Sequence, residues 1–465
     1  MVDHRALTIH SLPNELLLSV FYFHRLLSGT NNCPPAVAWR WHILAHVCQR
    51  WRHLIFGSLR HLGARLVIPR NSLKTPSDSW LALPLSIWCD SADDMSSEQE
   101  AKVVAAFEHS DRIREISLPV TIRHPFWVLI QNKKSFLELE HLVLSGFIWH
   151  YSPIALPREF FGGSTGPRRL RNILLNYLHL PDLPQLLLSS RDLVSLHLGY
   201  YTLTCMGFIS PEVLSNALSV TTQLESLYID CLPEPHPELT TRHSSPFVVF
   251  PALTYFHVGG FIEYMENFVS RIHAPRLEKL DVYSNHQGAL DIPQLSQFIS
   301  RTERLSSLPF RTSISLDKRG FSIDHYFEVL PSLEALHVYI RVRCVDMTDW
   351  RVSEVDHICT QLSPLASSVK QLKISAFQPP PNLKRKTDPA PWLELLKPYN
   401  SVEVVEFCGK DAACTGIASA LEQSTWEVAQ ELLPALRVLR IRGFHTWSMG
   451  LSRRLSLRVS WLLDP

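Results

Sequence analysis

A short apolar phrase, Leu-x-x-Leu-x-Leu with aliphatic or aromatic substitutions, recurs along most of this chain. Self-similarity of this kind leaves few folds open, because each unit must bury its apolar face against its neighbours. The phrase reads Ile113-Ile116-Leu118, Leu139-Leu142-Leu144, Leu170-Ile173-Leu175, Leu193-Leu196-Leu198, Leu224-Leu227-Ile229, Leu253-Phe256-Val258 and Leu277-Leu280-Val282. It resumes at Leu333-Leu336-Val338, Val369-Leu372-Ile374, Val402-Val405-Phe407 and Leu436-Leu439-Ile441, with a poorer copy at Leu305-Leu308-Phe310. Starting positions are separated by roughly 23 to 36 residues, about 29 on average, which is room for one strand and one helix per unit.

The last two apolar positions of the phrase are two residues apart and so share one face of a short strand. The first, three residues earlier, turns the chain into that strand. In the copy at Leu224 this leaves Ser226, Tyr228 and Asp230 facing away from the core. Between the phrases, PEVLSNALSV from Pro211, PQLSQFISRT from Pro293 and STWEVAQELL from Ser424 carry apolar residues at helical spacing. Pro211 and Pro293 suit a first helical turn, with Ser210 as a cap for the first. Helices are expected to stop before PALTYF, PRLEKL, PSLEAL and PALRVL, where proline favours an extended start to the strand.

The predicted fold class is therefore α/β: parallel strands joined by right-handed helical crossovers and stacked into a curved solenoid, strands on the inner face and helices outside. The array resembles an irregular leucine-rich repeat. It departs from the strict pattern at the asparagine that usually follows the strand: only Asn285 fits, and Phe147, Leu178, Tyr201, Leu232 or Lys410 stand elsewhere. Uneven curvature is expected, with exposed Pro-rich loops at 233–246 and 378–391.

A chain of 465 residues with 46% hydrophobic content can bury a large core. Its formal net charge of +1 gives no global reason to expect nucleic acid or an anionic membrane as a partner. The 9 cysteines are scattered without a Cys-x-x-Cys pair, which fits reduced, buried thiols better than a disulfide framework. The start, MVDHRALTIHSLPNELL, lacks the basic-then-apolar pattern of a signal peptide, and no apolar run is long enough to span a bilayer. The expected setting is intracellular and soluble, cytoplasmic or nuclear.

Ahead of the repeats the chain changes rhythm. The N-terminal stretch up to the break at residues 69–84 is helical in pattern, with LPNELLLSVFYF and WRWHILAHVCQRWRHLI as two apolar-striped segments. Pro13 suits a first helical position, and Glu15 favours the positive helix end. Leu12, Leu16 and Val20 fall on one stripe, widened by Leu17 and Phe21; Leu44, Val47, Cys48, Trp51 and Leu54 or Ile55 form the other. Helices this short are not expected to bury so much surface between themselves, so the stripes call for a partner or for the repeats.

The Leu12-Pro13-x-Glu15-Leu16 opening and the later Val47-Cys48-x-x-Trp51-Arg52 resemble the F-box, a helical module that docks onto the Skp adaptor of a cullin-RING ubiquitin ligase. The usual short link between the two motifs is replaced by SGTNNCPPAVAWRW. Such enlarged links, with repeat phrases such as FFGGSTGPRRL and PQLLLSSRDLVSLHL, are similar to the large fungal class of F-box proteins with degenerate leucine-rich repeats. The resemblance implies an adaptor-binding surface of Leu12, Pro13, Leu16, Leu17, Val20, Val47 and Trp51, a Skp-type adaptor and through it a cullin as partners, and a protein substrate held by the repeats. On this basis residues 8–60 form the F-box-like module, 61–91 a linker or first cap, 92–445 the repeats, and 446–465 a C-terminal cap or truncated repeat. A second reading stays open, in which the N-terminal helices only cap a repeat scaffold with no ligase role.

Catalytic chemistry finds no support. His42 and His46 have helical spacing, but Ile43 stands where a zincin has glutamate. The run Gly162-Gly163-Ser164-Thr165-Gly166 lacks both the Gly-Lys-Ser/Thr end of a phosphate loop and the Gly-x-Ser-x-Gly of a nucleophile elbow. Lys384-Arg385-Lys386 reads as a solvated loop, with nuclear import as the alternative. No enzyme activity, metal or cofactor is expected.

Overall fold

The computed structural model describes residues 9–28, 44, 46–58, 66–68, 84–89, 96–120, 136–146, 154–155, 167, 169–201, 209–231, 247–286, 291–306, 311–317, 320–326, 337–344, 352–376, 390–409, 432–442 and 458–462. Most of the helix predicted from Ser424, the Pro-rich loops up to Ala390, the 162–166 glycine run and most of the enlarged 28–41 link fall outside them. The architecture is mixed α/β, a large and mostly parallel sheet with helices, and the chain divides into two compact units, residues 1–144 with 159–167, and residues 145–158 with 168–465.

The first unit holds helices α1 (Asn14–Ser28), α2 (Gln49–Gly57) and α3 (Ser97–Phe107) and strands β1 (Leu66–Ile68), β2 (Leu85–Trp88), β3 (Ile113–Val120) and β4 (His141–Gly146), in the order β1-β2-β3-β4. β1, β2 and β3 are parallel. The expectation of a purely helical stretch ahead of the repeats is thus corrected. Leu66–Ile68, ahead of the break, is a strand; Leu85–Trp88, in the stretch read as a linker or first cap, is another, with Leu85, Ser86 and Ile87 all buried and without the longer phrase that marks the later copies.

The second unit carries β5 (Asn172–Asn176), β6 (Ser195–Tyr201), β7 (Ser226–Cys231), β8 (Tyr255–Gly260), β9 (Lys279–His286), β10 (Arg311–Asp317), β11 (Gly320–Tyr326), β12 (His337–Cys344), β13 (Gln371–Ala376), β14 (Val404–Gly409), β15 (Val438–Arg442) and β16 (Arg458–Leu462). Its helices include α4 (Leu183–Ser189), α5 (Pro211–Leu218), α6 (Ile262–Val269), α7 (Pro293–Arg301), α8 (Glu303–Ser306), α9 (Val352–Gln361), α10 (Ser363–Ala366) and α11 (Ala390–Leu396). The strand order is β5-β6-β7-β8-β9-β12-β11-β10-β13-β14-β15-β16. Four copies stack in register at their second apolar position: Leu196 lies opposite Leu227, Leu227 opposite Phe256 and Phe256 opposite Leu280. Leu280 then lies opposite Val338, the third position of its phrase, so that copy is shifted by two residues, and all five side chains are buried.

How the first leucine turns the chain is visible in the hydrogen bonds. The N–H of Leu193 donates to Ser190 O, Leu224 to Thr221 O, Leu253 to Phe250 O, Leu277 to Ala274 O, Val369 to Ala366 O and Val402 to Tyr399 O. Each of these six acceptors is itself a buried residue, so these copies share an apolar or small anchor three residues before the first apolar position. Pro251 and Pro275 sit directly after their anchors, where a fixed φ suits the second position of a turn. What precedes them is not a helix, as expected, but a short parallel strand pair, Val248–Val249 with Ile272–His273. After the turn, two successive N–H groups donate to one carbonyl of the previous copy: Val194 and Ser195 to Arg171 O, Glu225 and Ser226 to Val194 O, Thr254 and Tyr255 to Glu225 O, Glu278 and Lys279 to Thr254 O.

The helices obey their sequence signals. Pro211 and Pro293 open α5 and α7, and Ser210 Oγ accepts the Val213 N–H at 3.2 Å. The first turn of α7 is satisfied by a neighbouring helix: Glu266 of α6 accepts the N–H groups of Gln294 at 2.7 Å and Leu295 at 2.9 Å. Glu266→Ala is expected to lower stability by about 1–2 kcal/mol, because two helix-end donors lose a charged partner. A shift in the urea midpoint without a change in slope would measure it.

The poorer copy is where the pattern breaks. Leu305 keeps its turn to Thr302 and is buried, but it lies in α8, and the strand begins only at Arg311. Leu308 and Phe310 lie outside the described residues. β10 then pairs antiparallel with β11, and β11 antiparallel with β12, while β12 lies parallel to β9 and β10 parallel to β13. An antiparallel strand was not expected here. Phe321, Ile323 and His325 are its buried alternation.

His325 Nδ1 lies 2.7 Å from Thr312 Oγ1 in this hairpin, and burial holds its pKa down to about 4 from 6.5. The unfolded chain therefore binds a proton more readily than the folded one. The stability this histidine contributes is complete above about pH 6.5 and falls as the pH drops toward 4, by at most about 3 kcal/mol. Urea unfolding at pH 7 and pH 4.5 should show a smaller acid loss for His325→Asn than for the wild type; equal losses would contradict it.

Candidate functional site

The N-terminal helix pair is built around a small core. Leu17 and Phe21 of α1 and Trp51 and Ile55 of α2 are buried together, with Leu12, Leu18, Leu44, Cys48 and Leu54 packed against them. Phe21 and Trp51 meet edge to face with ring centroids 4.8 Å apart. Arg50 ties the two segments: its Nη2 donates to Leu12 O at 2.6 Å and to Asn14 Oδ1 at 2.7 Å. α1 begins at Asn14, with Pro13 O accepting the Leu17 N–H. Cys48 caps α2 in extended conformation, its Sγ accepting the Trp51 N–H at 3.5 Å.

This geometry divides the residues proposed from sequence. Leu17 and Trp51 are not on an outer surface; they are core residues, 0% and 8% exposed. The expectation that such helices cannot bury these side chains between themselves is corrected: packing Phe21 on Trp51 does so. Val47 does not share a helical stripe with Trp51 either, because Cys48 starts the helix and Val47 lies in the turn before it. Leu16, Val20 and Val47 are exposed at 53%, 51% and 56%. Pro13 is exposed and Leu12 half-buried. Sequence reasoning overlooked Phe23, 61% exposed, which continues the Leu16–Val20 stripe at helical spacing. α1 thus carries two adjacent apolar stripes, one buried against α2 and one outward.

Of the two spaced histidines, His46 is exposed, and His42 lies outside the described residues. Among the described residues no group of three His, Cys, Asp or Glu side chains is placed to hold a metal ion. No described helix is long and apolar enough to cross a membrane.

A second cluster lies in the second unit, on the sheet face opposite Leu227 and Ile229. His197, Tyr228 and His257 occupy one row of β6, β7 and β8. Their rings are stacked, with centroids 3.8 and 3.9 Å apart and planes within 7° and 4°. The next position in the row is Asp281, which accepts the Tyr255 hydroxyl at 2.9 Å. The outward alternation expected for Ser226, Tyr228 and Asp230 holds in direction, but Asp230 is only 5% exposed. Burial pushes its carboxyl above the usual range, and burial holds the His257 imidazole down to about 4.

No protein-family model matches this chain, and no curated protein matches it.

Proposed function

We propose that this chain is the substrate-recognition subunit of a Skp–cullin–F-box ubiquitin ligase. The N-terminal helix pair docks the Skp-type adaptor, and the repeat sheet, an irregular leucine-rich-repeat solenoid in this reading, holds a protein substrate on its polar face. The chain itself breaks and forms no bonds. Its contribution is proximity, raising the effective concentration of a substrate lysine at the ubiquitin-charged enzyme.

One observation carries the reading. The segment bearing LPNELL and VCQRWR satisfies its own core with Leu17, Phe21, Trp51 and Ile55, yet leaves Leu16, Val20, Phe23 and Val47 outward. Apolar burial is worth about 1.5–3 kcal/mol per large side chain, so four large apolar side chains turned outward on this small segment favour a protein partner. The docking set is accordingly Pro13, Leu16, Val20, Phe23 and Val47, with Leu12 at its edge and Leu17 and Trp51 supporting it from beneath.

The test is co-purification of the full chain with its Skp-type adaptor from cells. Wild type should retain the adaptor. Leu16→Asp combined with Val47→Asp should reduce capture at least tenfold while the helical circular dichroism is unchanged. A folded wild type that captures no adaptor overturns the reading.

A further inference from the structure

The stacked row beside Asp230 has a feature that packing alone does not require. Asp230 lies opposite Gly259 in the sheet, and a Cβ at Gly259 would fall 2.7 Å from Asp230 Oδ1 and 3.4 Å from His257 Nε2. These two atoms therefore both lie against Gly259, at a position where no side chain stands between them. Both are buried, and neither has a hydrogen-bond partner among the described residues. The other carboxylate oxygen, Oδ2, accepts from the Tyr228 hydroxyl at 3.5 Å. A buried polar atom with no partner costs free energy, so a pair of them aimed at one point is a feature that a bound group would relieve.

The chemistry of that group follows from the atoms. A carboxylate oxygen only accepts. A neutral imidazole offers one acceptor nitrogen, and with its proton on Nδ1 that acceptor is Nε2. Two acceptors, one of them anionic, call for a ligand with at least two N–H donors and a positive charge. Ammonium and guanidinium groups both meet this. Beside this point the rings of His197, Tyr228 and His257 stack face to face, so the stem of a basic side chain would meet their edges and not their faces.

We propose that Asp230 and His257, whose unpartnered acceptor atoms lie beside Gly259, form a recognition site for a basic side chain, lysine or arginine, of a protein partner. The proposal rests on the reading of this sheet face as the substrate-receiving surface. It commits the substrate to a basic residue at the point of contact.

The test uses the full chain and short acetylated, amidated peptides with one central arginine or lysine, compared with the same peptides carrying citrulline or norleucine, measured by isothermal titration. The basic peptides should bind wild type at least tenfold more tightly than their neutral counterparts. Asp230→Asn, which keeps the shape and removes the charge, should erase that difference. Gly259→Ala, which fills the space, should weaken the basic peptides at unchanged circular dichroism. Equal affinity for charged and neutral peptides overturns the proposal, as does a charge preference that survives Asp230→Asn. Free agmatine or spermidine binding as tightly as the peptides also overturns it, by assigning the site to a small amine. Adaptor capture by the helix pair is measured separately and should be the same in Asp230→Asn and wild type. Its loss in wild type would sink the ligase reading without touching the peptide result.

Discussion

Trp51→Ala is expected to unfold the N-terminal helix pair and, with it, to abolish adaptor capture. Truncating a buried aromatic costs about 3–5 kcal/mol through lost transfer energy and the cavity left behind. Here the loss falls on a core whose other buried members among the described residues are Leu17, Phe21 and Ile55. Those three retain about 1.5–3 kcal/mol each at best, against the entropy of ordering two short helices, so the remainder cannot hold the pair together. The indole also supplies the edge-to-face contact with Phe21, worth a further 0.5–1.5 kcal/mol or about that. Hydrogen exchange on the full chain is the measurement. Peptides covering Asn14–Ser28 and Gln49–Gly57 should lose protection, while those covering Ser226–Cys231 and Tyr255–Gly260 keep it, because the buried members of this core among the described residues, Leu17, Phe21, Trp51 and Ile55, all come from the two helices. Trp51→Phe should restore most of the protection. Leu16→Asp should behave oppositely, losing the adaptor with both helices still protected. If Trp51→Ala leaves both helices protected, the pair does not depend on its own core.

That contrast marks what could be seen in the residues beforehand. Three- and four-residue spacing identified both apolar stripes of α1 but could not say which faces inward. Leu16 and Leu17 are the same residue type one position apart, and only the site of Trp51 decides between them. In the sheet, the aliphatic phrase predicted the buried positions of the copies from Ile113 to Val282 and from Val369 to Phe407, because two-residue alternation maps directly onto a strand's two faces. The anchor three residues before it escaped notice. Ser190, Thr221, Phe250, Ala274 and Tyr399 share a backbone role and no side-chain chemistry, so nothing in composition links them. Ser190 and Thr221 tolerate burial because their hydroxyls donate to the carbonyls of Leu186 and Leu218, both at 2.7 Å. The antiparallel β11 was equally hidden, since strand direction depends on the two-residue connection from Asp317 to Gly320 and not on the apolar pattern of Phe321, Ile323 and His325. The Asp230 cluster was half legible. Alternation placed Tyr228 and Asp230 on the outer face, but the stack needs His197 and His257 from strands whose register only folding sets.

Phe256→Ala should be among the most damaging single changes in the second unit, and the reason lies in how the sheet and helices share one residue. Phe256 is fully buried on β8, opposite Leu227 on one side and Leu280 on the other. Above it, Phe268 of α6 and Phe298 of α7 approach with ring centroids 6.0 and 6.1 Å away. Both helices are fixed around that ring. The carboxylate of Glu266 caps α7, and Arg301 of α7 donates to the O of Val269, the last residue of α6, and to Ile272 O just beyond it, each at 2.6 Å. With its neighbours held by these hydrogen bonds the site collapses poorly, and poor collapse places a substitution near the top of the 3–5 kcal/mol range, about 4–5 kcal/mol. Phe256→Leu, which keeps most of the apolar volume, should cost far less, about 1–2 kcal/mol. Urea unfolding followed by far-ultraviolet circular dichroism measures both, with the midpoint falling and the slope unchanged. Equal losses for the two variants would mean that the aromatic cluster is not what joins β8 to its helices. A loss for Phe256→Ala below about 2 kcal/mol would show that α6 and α7 can close over the cavity despite the Glu266 and Arg301 ties.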